Sequence, residues 1–144
     1  MLIRNGSCRL FLYCAILLCG CARIMGTTKE TAKVIWGSST KALEESRQEA
    51  LKKSYPCPYD TCFADVLGIA KKNKLEVFIK DKRKGHIILM KMPKSEGTTE
   101  VGIFFVQEEQ DKTTIEITSL SRDAKLTASE IFFVALDKLY LEKK

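Results

Sequence analysis

Between Leu75 and Leu120, four runs rich in Ile, Val, Phe and Thr follow one another: Leu75–Lys80, His86–Met92, Thr99–Gln107 and Thr113–Leu120. The links between them are Asp81–Gly85, Pro93–Gly97 and Glu108–Lys112, far shorter than the roughly a dozen residues that a parallel crossover needs. An antiparallel meander is therefore the topology open to this stretch. In the last run Ile115 and Ile117 alternate with Thr114, Glu116 and Thr118. One face of the sheet is thus expected to be buried and the other wetter.

Helical patterns flank these runs. Ser39–Lys53 is rich in helix formers, and its thin apolar face (Leu43, Ala50, Leu51) places it on the outside of the domain. A second helix is expected over about Thr61–Lys72, where Phe63, Val66, Leu67 and Ala70 fall at helical spacing, with Asp60 as N-cap and Asn73 as terminator. Thr127-Ala128-Ser129-Glu130 has the form of a capping box, and Leu126 with Ile131 would be its hydrophobic staple. Behind it Ile131, Phe132, Ala135, Leu136, Leu139 and Tyr140 make a continuous stripe. The expected fold is a two-layer α+β domain over residues 34–144. A four-stranded antiparallel meander packs against helices, in the order ααββββα.

The N-terminus follows other rules. Arg4 and Arg9 precede an apolar run of 11 residues, Leu10–Gly20. At ~1.5 Å per residue such a helix spans about 16 Å, half of a ~30 Å hydrocarbon core, which suits a secretory leader better than a membrane span. The run ends in Leu18-Cys19-Gly20-Cys21.

This ending resembles the lipobox of bacterial lipoproteins, with Leu three residues before the cut, a small residue just before it, and then Cys. The resemblance implies a signal peptide over residues 1–20 and a diacylglyceryl thioether on Cys21, which becomes the acylated N-terminus. Cys19 departs from the pattern, where Ala, Ser, Thr or Val is usual. It implies a periplasm-facing protein held to a membrane by its lipid. Ala22, where inner-membrane retention would favour Asp, points to the outer membrane. The polar stretch 21–33 reads as a tether. WGSST leading into a helix, and TEVGIFF followed by IEITSLS, are similar to segments of short bacterial envelope lipoproteins; that likeness implies no activity. Trp36, the one tryptophan, is read as a core plug for the first helix.

Charge and cysteine usage take their meaning from export. Of 24 basic residues, 22 remain after the leader against 18 acidic. Nucleic acid is not an expected partner there, whereas anionic lipid head groups or wall polymers are. Cys8, Cys14 and Cys19 leave with the leader, so Cys57 and Cys62 remain as an isolated pair. In an oxidising compartment they are expected to form a disulfide. The sharper alternative is a thiol-redox protein using Cys57 and Cys62, but the spacing is CxxxxC and no βαβ context surrounds it.

Metal and enzyme chemistry find little support. Two Cys and one His fall short of a four-ligand zinc site, so neither metal nor cofactor is expected beyond the lipid on Cys21. His86 reads as a surface residue at a strand end. No nucleophile elbow, P-loop or dinucleotide fingerprint occurs, and no catalytic residue is assigned.

Lys71, Lys72, Lys74, Lys82, Arg83 and Lys84 are the candidates for contact with an anionic surface. Six strand residues separate the two groups by about 20 Å, and Glu108, Glu109 and Asp111 are expected to neighbour Lys82–Lys84. The leading expectation is a non-enzymatic envelope lipoprotein that binds a partner. A further alternative is a binder of a lipid-like ligand held between sheet and helices, against which the Phe and Ile content looks sufficient to fill the interior.

Overall fold

The computed structural model describes residues 40–93 and 99–142. Cys21, the leader, the tether and Trp36 lie outside the described residues, as does most of the Pro93–Gly97 link. Residues 40–45 are helical (α1) and pass into a single 3-10 turn, Ser46–Glu49. Then come β1 (Leu51–Tyr55), α2 (Tyr59–Lys72), β2 (Glu76–Asp81), β3 (His86–Met90), β4 (Glu100–Glu109), β5 (Lys112–Thr118) and α3 (Arg122–Tyr140). The class is α+β, and the sheet has five strands in the order β1-β5-β4-β3-β2, every pair antiparallel.

The fifth strand corrects the helix expected over Ser39–Lys53. Ala50 is extended, with φ −67° and ψ 145°, and Leu51–Tyr55 pairs with β5 in the register Leu51↔Ile117 to Tyr55↔Thr113. Helix propensity is a weak preference. Here it loses to the backbone hydrogen bonds that β5 offers and to the burial of Tyr55, which is fully enclosed. The meander β2–β5 stands as expected.

The first face of this sheet is buried, and the second is covered only in part. This adds to the two-layer expectation and leaves the second face the wetter one, with Lys52, Ser54 and Val106 exposed. On the first face α2 and α3 pack over Ile87, Leu89, Ile103, Ile115 and Ile117, with Phe63, Phe132 and Leu136 filling the layer between. On the second, Leu43 of α1 seals a smaller core with Ile88, Phe104 and the partly buried Ile79. Gly102 leaves room for that packing, since a Cβ there would lie 2.7 Å from the Phe104 ring.

On the second face the buried Glu116 is met by two partly exposed cations. Glu116 accepts from Arg47 Nε at 2.7 Å and lies 2.8 Å from Lys52 Nζ. Burial raises the Glu116 carboxyl, but the hydrogen bonds from Lys52 and Arg47 outweigh it and hold the group below the usual glutamate range. The Arg47 guanidinium also lies over the Phe104 ring.

The helix caps differ from expectation. Pro58, not Asp60, precedes α2, and no side chain caps it. Asn73 does end α2, its side-chain amide donating to Ile69 O at 2.9 Å. The last helix begins at Arg122 with Ser121 as its cap, accepting from Ala124 N. Thr127 and Ser129 therefore lie inside the helix, and Leu126, the expected staple, is 42% exposed. Buried Ala124 and Ala128 carry the packed stripe upstream of Ile131. Among the described residues no helix is long and apolar enough to cross a membrane.

Candidate functional site

The outer surface of the helical layer carries an open groove of about 620 Å³ between α2 and α3. Ile69, Ile131 and Ala135 form its apolar lining, and Lys72, Glu130 and Lys138 supply its charges. Val134 is 52% exposed there, and Leu139 is exposed beside it. Gly68 contributes to the depth. A Cβ at this position would meet nothing within 4 Å, so no contact inside the described chain calls for glycine. A glycine within a helix costs about 1 kcal/mol relative to alanine, yet here it leaves the groove open.

The six basic candidates divide into two sets. Lys72 lines the groove, with Lys71 beside it and Lys74 two residues on, at φ 55°. Lys71, Lys72, Lys74 and Lys138 take part in no salt bridge among the described residues. The other set, Lys82–Lys84, occupies the β2–β3 turn beyond the far end of β2. Lys82 is compensated by Asp60 at 2.9 Å. Asp81 shapes the turn, its Oδ1 accepting from Arg83 N and Lys84 N at 3.0 Å each. The hydrogen bond from Lys84 N leads in holding the Asp81 carboxyl below its usual range. The expected compensation by Glu108 is not made, because Glu108 turns to Lys112 at 2.6 Å.

The two thiols lie at the opposite, inner side of α2. Cys57 follows β1 and Cys62 sits in the first turn of α2; both are free thiols in this structure, 1% and 0% exposed, and belong to the same core cluster. Thr113 Oγ1 donates to Cys57 O at 2.9 Å. The Tyr140 phenol touches Cys57 and bonds Asp65. Nearby, the Tyr55 hydroxyl donates to Asp137 Oδ1 at 3.1 Å, and Lys53 Nζ reaches Asp137 Oδ2 at 2.7 Å. Burial pushes both thiols up from the ordinary cysteine range. A reactive thiol needs the reverse, a stabilised thiolate within reach of solvent.

His86 is not the surface residue expected. It is buried at the start of β3, edge-on to the Phe104 ring at 5.9 Å. Burial lowers its pKa, against the opposing pull of Asp81 and Glu44, so the neutral ring is the favoured form. Among the described residues no group of His, Cys, Asp and Glu is arranged to hold a metal ion.

Sequence reasoning found the thiols by counting and the lysines by clustering, but it missed the groove and the Tyr55–Asp137–Lys53 cluster. The groove comes from two helices meeting side by side, which no local pattern encodes. Asp137 did carry a signal, as a carboxylate next to the apolar Leu136 in the stripe. No protein-family model matches the chain, and no curated protein matches it closely.

Proposed function

We propose that this chain is a non-enzymatic envelope lipoprotein, held to the outer membrane through acylated Cys21, whose α2–α3 groove docks on anionic lipid. The observation that carries this reading is the apolar groove lined by Lys72 and Lys138 as well as Glu130, with neither lysine in a salt bridge among the described residues. Apolar side chains beside a net positive charge, two lysines against one glutamate, suit an amphiphile with an anionic head. The several acyl chains on Cys21, at about 0.8 kcal/mol per buried CH₂, would already hold the chain firmly, so the groove adds a contact with the lipid surface rather than the anchor. Two features argue against the other readings. The layer between sheet and helices is filled by Tyr55, Phe63, Phe105 and Phe132, leaving the groove outside it. The thiols are enclosed and their pKa values raised, which disfavours redox turnover.

The test uses the chain from residue 22 onward, so that no acyl group contributes, with phosphatidylcholine vesicles with and without phosphatidylglycerol. Each basic residue near an anionic surface is worth about 1 kcal/mol. Lys71→Glu/Lys72→Glu/Lys138→Glu should therefore weaken binding to the anionic vesicles by at least roughly tenfold, and salt should weaken the wild type. Binding that survives this triple change but is lost on charge reversal of Lys82, Arg83 and Lys84 would move the contact to the turn. Equal binding to both vesicle types, or binding only to anionic wall polymer, would overturn the lipid assignment.

A further inference from the structure

The proposed docking face makes no use of the two enclosed thiols, and their placement points to a covalent site. We propose that Cys57 and Cys62 are cross-linked by thiol–disulfide exchange while the β1–α2 connection is open, giving a bond that the folded protein then shields. The two thiols are separated by four residues of chain and are enclosed in the same core cluster. The backbone around them is already fixed. Cys57 N donates to Tyr55 O at 2.9 Å, Thr113 Oγ1 donates to Cys57 O at 2.9 Å, and Cys62 N donates to Pro58 O at 3.0 Å. Pro56 and Pro58 flank Cys57 and restrict its approach further.

The order of events follows from where each sulfur sits. Cys57 lies on the irregular connection, so lifting residues 56–57 exposes it while Pro58 O keeps its hydrogen bond from Cys62 N in the first turn of α2. Cys62 is reached only by opening the first helical turn. The oxidant is a disulfide, such as oxidised glutathione. The Cys57 thiol loses its proton and its sulfur attacks, forming a mixed disulfide and releasing one external thiol. The Cys62 sulfur, having lost its proton, then attacks Cys57 Sγ and expels the second. One S–S bond breaks and one forms, and the two electrons lost by the cysteine pair leave with two external thiols.

The bond would hold down a weak point. β1 is an edge strand with one strand neighbour, β5, and its last residue carries the fully buried Tyr55. Tying Cys57 to α2 fixes that end beneath Tyr140. This inference does not rest on the membrane reading, and vesicle binding plays no part in its test.

The experiment uses residues 22–144 purified under reductant, the form used for the vesicle test, in which Cys57 and Cys62 are the two cysteines present. In the folded state both thiols should resist alkylation by iodoacetamide. Refolding in a glutathione redox buffer should lower the mass by two hydrogens, and the new bond should resist dithiothreitol until denaturant is added. Closing a loop this short should strengthen the folding equilibrium roughly 40-fold over the reduced protein. In Cys62→Ser, mild denaturant should trap a glutathione adduct on Cys57 well before Cys57→Ser traps one on Cys62. Thiols that stay unpaired after refolding, or a bond that folded protein makes and loses freely in the redox buffer, would overturn the proposal.

Discussion

Truncating Phe132 to alanine is expected to lower the unfolding free energy by about 4 kcal/mol, within the range for deleting a buried aromatic ring. Phe132 is fully enclosed in α3 between the helix pair and the sheet, and it belongs to the main core with Leu136, Ile103 and Ile115. Its neighbours are held by the strand ladders on one side and by α2 on the other, so the space left behind cannot collapse cheaply. Urea unfolding followed by far-UV circular dichroism should show a lower midpoint with an unchanged slope. A loss below about 1 kcal/mol would mean that the layer between sheet and helices is loosely packed. That result would also revive a ligand space there.

The second large effect is expected on the other face. Leu43→Ala should cost about 2–3 kcal/mol, near the lower end for a buried leucine because the cluster it fills is small. Leu43 is 1% exposed against Ile88 and Phe104. Were the sheet bare on this side, Leu43 would sit on a thin outer stripe and its truncation would stay within about 0.5 kcal/mol. Leu126→Ala is the control, because that side chain is 42% exposed and should change stability little. The contrast between the two leucines, read from the same urea curves, decides whether α1 covers this part of the second face.

These two residues also mark where the sequence was legible. β2 to β5 could be read because Ile, Val, Phe and Thr recur between turn residues, and the short links exclude parallel pairing. Lys52 and Lys53 look helical by type, but their partners are Glu116 on one face and Asp137 on the other, both distant in the chain. No local window contains that information. The wetter face is there as expected, with Lys52, Ser54 and Val106 exposed, but its partial cover was not legible for a related reason. Glu116 and Thr118 look solvated until Arg47, Lys52 and Ser46 close over them. Thr127-Ala128-Ser129-Glu130 has the form of a cap, yet Ser121 starts α3 because Ala124 and Ala128 fit under it, and small residues barely register in a hydrophobic pattern.

The candidate site divides in the same way. Cys57 and Cys62 were found by elimination, since every other cysteine precedes residue 22. Clustering singled out the basic residues but not their fates. Asp60 at the start of α2 pairs with Lys82, whereas Lys71, Lys72 and Lys74 at its other end have no salt-bridge partner among the described residues. Gly68 gave no warning at all, because its meaning depends on the neighbouring helix.

Anchoring through Cys21 is the claim on which the functional account turns. The direct measurement is the intact mass of the full-length gene product extracted from membranes in detergent. The account predicts residues 21–144 carrying a diacylglyceryl group on Cys21. A mass that retains residues 1–20 without acylation, or a cleaved chain with an unmodified Cys21, would contradict it.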